Sequence, residues 1–311
     1  MTTPHYYHTP VMTTEVLAAM RVSAGGRYVD CTLGEGGHTA VILEASAPDG
    51  KVLGIEADPE ALKVAKKRFE KLPSNRVTMV HESYTNIGAI AGSHFPESIN
   101  GVLMDLGISS FQLESSSRGF TFQKDQPLDM RFNPNQDITA EQIVNHWDEQ
   151  DLANAIYSYG EERYARQIAR AICSQRPLRT TGELSTLISN MHKRGRHAPI
   201  HPATKTFQAL RIVVNQELQN IKEGLNQCLA LLEAGARIAV ISYHSLEDRI
   251  IKRFFREESK SCLCPKEVVV CECNHTAKLK VVEKKPVRPT LAEIDSNRRS
   301  RSAKLRVAEM I

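Results

Sequence analysis

The stretch Arg27-Tyr-Val-Asp-Cys-Thr-Leu-Gly-Glu-Gly-Gly-His38 decides the fold that we expect for this chain. Tyr28 and Val29 favour a strand that Asp30 closes, three glycines follow, and the residues after His38 are typical of a helix. Glycines in such a turn let the backbone bend sharply and approach a ligand, while the helix start presents unpaired N–H groups. The stretch therefore predicts a site for a nucleotide-like cofactor.

The spacing of these glycines separates two classes of cofactor. A dinucleotide fingerprint read from Gly34 requires a third glycine at position 39, and this chain has Thr39 there. The next strand, Lys51-Val-Leu-Gly-Ile55, ends in Glu56, about 20 residues beyond the glycines, where a carboxylate can accept ribose hydroxyls. The spacing disfavours a dinucleotide, but Glu56 suits any cofactor that contains a ribose.

Further strands alternate with helices, so we expect an α/β fold with a parallel, doubly wound sheet. Arg76 to His81 and Asn100 to Asp105 are predicted as the third and fourth strands. Ligands of such sheets bind beyond the carboxyl ends of the strands. We therefore expect the ligand-binding residues at this edge to be Gly34 to His38, Glu56, Tyr84 and Asp105. For Tyr84, stacking on an adenine and packing in a loop remain alternatives, and Asp105 is alternatively a helix cap.

The alternation stops beyond Asp105 and resumes with Arg237 to Tyr243. We expect a helical domain over residues 111–215, inserted between two parts of the sheet domain, residues 1–110 and 216–311. One long helix is predicted from Pro202 to Gly235, and Ser245 to Asp248 reads as a capping box. His244, just before that box, is a candidate for a substrate contact or a supporting hydrogen bond.

Charge is distributed unevenly along this chain of 311 residues, whose formal net charge is +4. The segment from Arg163 to Arg211 contains ten Lys or Arg residues and Glu183 as its one acidic residue. A phosphate-binding surface and an ordinary solvated face both explain such a segment. No apolar run approaches the ~20 residues of a membrane span, and the first residues do not resemble a signal peptide, so we expect a cytoplasmic protein.

Four of the seven cysteines lie close together as Cys262-Leu-Cys264 and Cys271-Glu-Cys273, with His275 nearby. Four thiolates, or three thiolates and an imidazole, are a suitable ligand set for zinc. The spacing is not one of the standard zinc-ribbon patterns, and free thiols or a disulfide explain it equally well. The sequence alone therefore assigns no metal ligand.

Several motifs occur together in an order typical of one family. They are Asp30-Cys-Thr-Leu-Gly-Glu-Gly-Gly-His38, Asp105-Leu-Gly-Ile-Ser-Ser110, Arg118-Gly-Phe120, Leu128-Asp-Met-Arg131, Gly160-Glu-Glu-Arg163, His201-Pro-Ala203, Phe207-Gln-Ala209, His244-Ser-Leu-Glu-Asp-Arg249 and Arg301-Ser-Ala-Lys-Leu-Arg306. With these motifs the chain resembles the bacterial RsmH (MraW) methyltransferases over nearly its whole length. The resemblance implies a Rossmann-like sheet with an inserted substrate-recognition domain, and S-adenosylmethionine as cofactor.

The resemblance also implies an activity, which is methylation of N4 of a cytidine in the decoding region of 16S ribosomal RNA. The family's cofactor positions correspond to Gly36, Gly37, His38, Glu56, Tyr84, Asp105 and Gln112. Glu56 replaces the family's usual Asp and Tyr84 its frequent Phe, and both replacements keep the required chemistry. Free ribosomal RNA and the assembled 30S subunit both remain possible partners, and the sequence does not specify the oligomeric state.

Methyl transfer requires the amine, the methyl group and the sulfur nearly in line, so positioning is a large part of the catalysis. Asp105, or a carbonyl between Leu106 and Ser110, is the expected acceptor for the hydrogens of the cytosine amine. The predicted RNA contacts are basic residues of the inserted domain, namely Arg163, Arg166, Arg170, Lys193, Arg194 and Arg196. A noncatalytic RNA-binding protein and a nicotinamide-dependent oxidoreductase are the competing hypotheses.

Overall fold

A computed structural model describes residues 9–95, 98–191, 200–265, 267–268 and 270–311. The chain forms two compact units, one of Met1–Gly107 with Leu218–Ile311 and one of Ile108–Glu217. We call them the sheet unit and the helical unit. That the helical unit acts as an inserted recognition domain stays a prediction. Within the described residues, no helix is both long and apolar enough to cross a bilayer.

The sheet unit contains a seven-stranded sheet, which confirms the predicted α/β fold class. Its strands are β1 Arg27–Asp30, β2 Lys51–Glu56, β3 Val77–His81, β4 Gly101–Asp105, β5 Arg237–Ser242, β6 Leu279–Val281 and β7 Lys304–Met310. They lie in the order β3-β2-β1-β4-β5-β7-β6. The first five strands are parallel, whereas β7 runs antiparallel to both β5 and β6. The expected parallel sheet therefore ends in an antiparallel pair, and β6 was not predicted.

Among the described residues, seven helices belong to the sheet unit, and all of them except α13 pack on one or the other face of the sheet. They are α1 Thr13–Met20, α2 Gly37–Ala45, α3 Pro59–Phe69, α4 Ile87–His94, α11 Glu217–Leu231, α12 Ser245–Glu258 and α13 Leu291–Ser296, with α11 starting at the last residue of the other unit. The described part of the helical unit contains six further helices, namely α5 Ser110–Glu114, α6 Ala140–His146, α7 Glu149–Gly160, α8 Ala165–Ser174, α9 Thr181–Met191 and α10 Thr204–Asn215.

Alternating side chains of the strands pack into two separate hydrophobic cores, one on each face of the sheet. Val29, Val102 and Val240 pack with apolar residues of α4, α11 and α12, whereas their neighbours Tyr28 and Leu103 pack with those of α1, α2 and α3. This two-residue period is expected for strands that are covered on both faces. The chain leaves β1 towards β2 and returns to β4, so β1 and β4 flank the topological switch point at which such sheets bind ligands.

The helical unit has its own apolar core, which packs residues from α6 to α10. Side-chain hydrogen bonds help to hold its loops. The guanidinium of Arg118, itself buried, donates to the carbonyls of Arg131 and Phe132 at 2.9 and 2.7 Å. The amide of Asn215 donates to the carbonyl of Met130 at 2.8 Å. Buried polar anchors of this kind give loops a fixed course without regular structure.

The single long helix expected from Pro202 to Gly235 is wrong. α10 ends at Asn215, Gln216 adopts a left-handed conformation with φ of 51°, and α11 begins at Glu217. Arg211 donates two hydrogen bonds to the carboxylate of Glu217, at 2.7 and 2.9 Å. These buried side-chain bonds fix the break between the helices. The apolar repeat continues across the break, so it gave no indication of the break.

Candidate active site

The glycine turn lies at the carboxyl end of β1, directly before α2. Gly34 and Gly36 have φ of 53° and 79°, values that side chains with a Cβ rarely adopt. A Cβ at Gly36 would also clash with the ring of Phe69 on α3. The N–H of Leu33 donates to the carbonyl of Ile55 at 3.0 Å, which holds the turn against the end of β2. The glycines are therefore required by backbone shape and by close packing.

Asp30 and Thr32 connect the end of β1 to its surroundings. The Asp30 carboxylate accepts hydrogen bonds from the Thr39 hydroxyl at 2.7 Å and from the Thr32 N–H at 3.2 Å. The Thr32 hydroxyl oxygen in turn accepts the N–H of Asp105 at 2.7 Å. Asp30 is buried, and this burial raises its pKa against the opposing effects of His38 and of its hydrogen bonds. The network fixes the ends of β1 and β4 and the first turn of α2.

Asp105 is held by two side chains at the end of β4. The hydroxyl of Tyr243 donates to its Oδ1 at 2.8 Å, and Nε2 of His38 lies 3.3 Å from its Oδ2. Burial and the negative charge of Asp105 raise the pKa of Tyr243 well above its usual value, so the phenol keeps its proton. Asp105 itself is half-buried, which leaves the carboxylate accessible.

His38 is buried near the start of α2. Burial lowers its pKa, but the neighbouring Asp105 and Asp30 outweigh that effect, and the net result is a raised pKa. Its Nδ1 has no hydrogen-bond partner among the described residues, and its Nε2 meets Asp105 as an ion pair at 3.3 Å rather than as a well-aligned hydrogen bond. A buried ring nitrogen without a partner costs free energy, so Nδ1 is suited to contact a polar ligand.

Glu56 closes β2 and faces the glycine turn. Its Oε2 accepts the N–H of Gly34 at 2.7 Å, and its Oε1 accepts the N–H of Asp58 at 2.8 Å. Burial raises the pKa of Glu56 to about 7, although these two hydrogen bonds act in the opposite direction. A carboxylate has about four acceptor positions, so two N–H groups leave capacity for ligand hydroxyls. Glu56, His38 and Asp105 thus follow the ends of three neighbouring strands.

Tyr84 begins a short 3₁₀ turn that follows β3. It is half-buried, and its ring packs against Gly224 of α11, where an added Cβ would lie 2.7 Å from the ring atom Cδ2. Packing on a glycine fixes the ring plane. Stacking of the ring on an adenine stays a prediction.

Gln112 lies in the helical unit, where it is buried and forms a capping box with Ser109 at the start of α5. The Gln112 N–H donates to the Ser109 hydroxyl at 3.1 Å, and its side-chain oxygen accepts the Ser109 N–H at 3.0 Å. A cofactor contact by Gln112 stays a prediction. The capping box explains the residue locally.

His244 is the N-cap of α12, so the capping box expected at Ser245 is wrong by one residue. Its Nδ1 accepts the N–H of Glu247 at 3.4 Å, and the carboxylate of Glu247 accepts the N–H groups of Tyr243 and His244 at 2.8 and 3.2 Å. The imidazole takes the place of the usual hydroxyl or carboxylate cap. Of the two roles considered for His244, the supporting hydrogen bond is the one that these contacts fill.

Three of the predicted RNA contacts, Arg163, Arg166 and Arg170, are exposed at the start of α8 and along it. The opposite side of this helix is buried through Ala165, Ile168, Ala169 and Ile172. Arg170 pairs with Glu149 at 3.4 Å, and both side chains are largely exposed. The other predicted contacts, Lys193, Arg194 and Arg196, lie outside the described residues. RNA binding by this surface stays a prediction.

Sequence reasoning did not select Tyr243, Asp30 or Glu293. Tyr243 directly follows β5, the neighbour of β4, so the rule that collected residues after each strand would have found it had it been applied to the later strands. Asp30 is the last residue of β1. Glu293 accepts the N–H of Met12 at 2.7 Å and contributes to the raised pKa of His38. No local pattern indicates that α13 supplies this charge.

Comparison with known proteins identifies the family of this chain. A ribosomal RNA small subunit methyltransferase H of Dehalococcoides mccartyi is 48% identical over 306 residues, which are 98% of this chain and 87% of that protein. The protein of the same name from Thermomicrobium roseum is 46% identical over 307 residues, 98% and 94% of the two chains. A solved rRNA methylase of Streptococcus thermophilus is 11% identical with a TM-score of 0.43, and the match covers 98% of this chain and 99% of that one. The model of the MraW methylase family matches residues 5–311, and the chain belongs to that family.

Proposed function

We propose that this protein transfers a methyl group from S-adenosylmethionine to N4 of a cytidine in the decoding region of small-subunit ribosomal RNA. Membership of a methylase family and relatives named for the small-subunit RNA support the reaction and the substrate class. The observation that carries the proposal is the carboxylate of Asp105, which Tyr243 and His38 hold at the switch point of the sheet. The N4 position is the finer part of the proposal.

S-adenosylmethionine is the cofactor of this methylase family, and when bound it supplies an activated methyl group on a cationic sulfur. The residues of the sheet unit fit such a group. Glu56 has acceptor positions left for two ribose hydroxyls, and Nδ1 of His38 is a buried nitrogen without a partner among the described residues. The amino-acid end of the cofactor would be the group that contacts His38.

The charge at this edge favours a cationic ligand. Burial is the largest cause of the raised pKa of Glu56 and of Asp30, and the nearby carboxylates of Asp30 and Asp105, respectively, raise these two pKa values further. His38 is the group whose positive charge opposes them. A site of this sign binds a sulfonium more tightly than the neutral thioether that remains after transfer, which favours product release.

Asp105 is the proposed acceptor for a hydrogen of the cytosine amine. The lone pair of that amine is delocalised into the ring, so an acceptor that holds its hydrogens helps to localise the pair toward the methyl group. Tyr243 and His38 fix the two carboxylate oxygens, so that the carboxylate is oriented before the substrate arrives. Because the pKa of Tyr243 is raised, the phenol donates to Asp105 at neutral pH.

The Asp105→Asn variant tests this role. It keeps the shape of the side chain but replaces one acceptor oxygen with a donor, so we expect the single-turnover rate to fall by about a hundredfold or more. Calorimetry with S-adenosylmethionine would show whether the cofactor still binds. Normal cofactor binding with a full single-turnover rate would rule out Asp105 as the acceptor.

The helical unit is the proposed RNA-binding part. The target base must be unpaired or flipped for its amine to reach a methyl donor, and phosphate contacts are the usual way to hold the strand meanwhile. Arg163, Arg166 and Arg170 are exposed guanidinium groups at α8 that suit phosphate oxygens. Arg194 and Arg196, which lie outside the described residues, stay predicted RNA contacts from the sequence alone.

A matched pair of triple variants tests the RNA-binding surface. Changing Arg163, Arg166 and Arg170 to Gln should weaken RNA binding and lower the slope of log affinity against log salt by roughly 2, at about 0.7 for each lost phosphate contact. The control changes the exposed Lys63, Lys66 and Lys67 of α3 to Gln, which removes the same charge elsewhere. Equal effects of the two variants would show that the arginines contribute only through the net charge of the protein and form no specific RNA-binding surface.

A further inference from the structure

Four cysteines converge in the connection between α12 and β6. The sulfur atoms of Cys262, Cys264, Cys271 and Cys273 all lie within 4.8 Å of one another. The Sγ of Cys262 is 3.4 Å from that of Cys271 and 3.7 Å from that of Cys273, and the last two are 3.6 Å apart. The methyl-transfer site described above does not use these side chains.

These separations distinguish a metal site from a disulfide. A disulfide places its sulfurs ~2.05 Å apart. Tetrahedral zinc with Zn–S bonds of ~2.3 Å places its four sulfurs about 3.8 Å from one another. The observed 3.4 to 3.7 Å is close to the edge of such a tetrahedron. Three of the sulfurs therefore have the spacing of a thiolate metal site, and the sulfur of Cys264 lies within 4.8 Å of each of them.

Backbone N–H groups point at three of the sulfurs. The N–H of Cys264 donates to Cys262 at 3.4 Å, that of Leu263 to Cys273 at 3.3 Å, and that of Glu272 to Cys264 at 3.4 Å. Thiolate, not thiol, is the metal-binding form of cysteine, and N–H donors stabilise its negative charge. Such bonds also orient ligands before a metal binds.

The cluster of ligand atoms consists of the four cysteines without His275, which decides between the two ligand sets that the sequence left open. The Nε2 of His275 lies 3.2 Å from the carbonyl oxygen of Glu257, the penultimate residue of α12. Nearby, the N–H of Lys278 donates to the carbonyl of Glu258 at 2.8 Å and joins the two ends of the connection between α12 and β6. The ligand set is thus four thiolates, with the histidine as an anchor for the loop.

The connection between α12 and β6 has no apolar core of its own among its described residues. Of the residues that the structure describes between Phe255 and Leu279, none is a buried apolar side chain. Val270 is 73% exposed. A segment that buries so little surface needs another source of order, and a structural metal is a common one.

We propose that Cys262, Cys264, Cys271 and Cys273 bind one structural zinc ion. Four thiolates suit zinc or iron, and zinc has the higher affinity of the two divalent ions for a given site. A tetrahedron of four protein ligands leaves no open position, so this zinc orders the connection into β6 and takes no part in methyl transfer.

Metal analysis of the full chain, purified without a histidine tag, tests the proposal. We expect about one zinc per chain in the wild-type protein and little in Cys264→Ser or Cys273→Ser, since each removes one of four ligands. Cys173→Ser is the matched control, because Cys173 is a half-buried thiol on α8 and should keep its zinc. Chelation of the wild-type protein should increase hydrogen exchange in residues 259–278 while the strands β1 to β5 stay protected.

The wild-type measurement keeps the test decisive if a serine variant fails to fold. Zinc no higher than in the buffer, iron in place of zinc, or a disulfide among these cysteines found by mass spectrometry would each overturn the proposal. Equal zinc loss in Cys173→Ser would overturn it as well, because the metal would then not depend on the cluster.

Discussion

The raised pKa of Glu56 leads to a specific prediction for cofactor binding. Burial raises this pKa to about 7, and the ionised carboxylate is the form that accepts two ribose hydroxyls. Roughly nine-tenths of Glu56 would be ionised at about pH 8 and roughly one-tenth at about pH 6. Because the apparent Kd is the intrinsic Kd divided by the competent fraction, affinity should fall about tenfold between these two values.

Calorimetry with methylthioadenosine is the appropriate assay. This ligand keeps the adenine and the ribose but lacks the amino-acid part, so it removes the titrating amine and the contact proposed for His38. Glu56→Gln is the control, since it keeps the other titrating groups of the protein and removes this one. We expect the variant to bind more weakly at pH 8, with an affinity that varies little with pH. Wild-type affinity in the variant, or a wild-type pH profile, would refute the role of Glu56.

Titration of the Glu56 carboxyl should also lower the free energy of unfolding as the pH rises. The pKa of Glu56 rises from 4.5 in the ordinary side chain to about 7 in the folded protein, so the folded state binds this proton more tightly. Its contribution to stability is complete below pH 4.5 and is lost as the pH rises through about 7, at most about 3 kcal/mol and less for a half-buried group. Chemical denaturation between pH 5 and 8 should therefore show a smaller decline for Glu56→Gln than for the wild type.

Two further substitutions test the support of the site. Tyr243→Phe removes the hydroxyl that donates to Asp105. We expect the single-turnover rate to fall about tenfold, equivalent to about 1.4 kcal/mol, with little change in cofactor affinity. An unchanged rate would contradict the positioning role of Tyr243. Gly224→Ala places a methyl group against the ring of Tyr84 and should lower the free energy of unfolding by about 1–3 kcal/mol. Gly92→Ala is the control, because nothing lies within 4 Å of its added Cβ, and it should stabilise helix α4 by up to ~1 kcal/mol. A similar loss of stability in both variants would show that the Tyr84 contact is not the cause.

The parallel part of the sheet was predictable from the sequence because its signals are local. Apolar strands that end in Asp30, Glu56 or Asp105, each followed by a turn or helix signal, place these carboxylates at one edge without knowledge of other contacts. The identity of the cofactor came from the resemblance to a known family, since a glycine turn and a carboxylate suit several nucleotides.

Features that depend on particular side-chain bonds or on a later strand could not be predicted in this way. Gln216 breaks a continuous apolar repeat because Arg211 binds Glu217, and no glycine or proline marks the position. The strand β6 has three residues, too few for a recognisable period, and depends on pairing with β7. His244 replaces the expected cap because its imidazole accepts the N–H of Glu247. In each case a specific side-chain hydrogen bond or a pairing with a later strand overrides the local pattern.

The position of the transferred methyl group tests the central claim most directly. The full chain would be incubated with labelled S-adenosylmethionine and either free small-subunit ribosomal RNA or assembled small subunits, and the RNA digested to nucleosides for mass spectrometry. We expect the label in N4-methylcytidine from the decoding region, and far less of it with Asp105→Asn. Label in a different nucleoside, or no transfer to either form of the RNA, would contradict the proposed function.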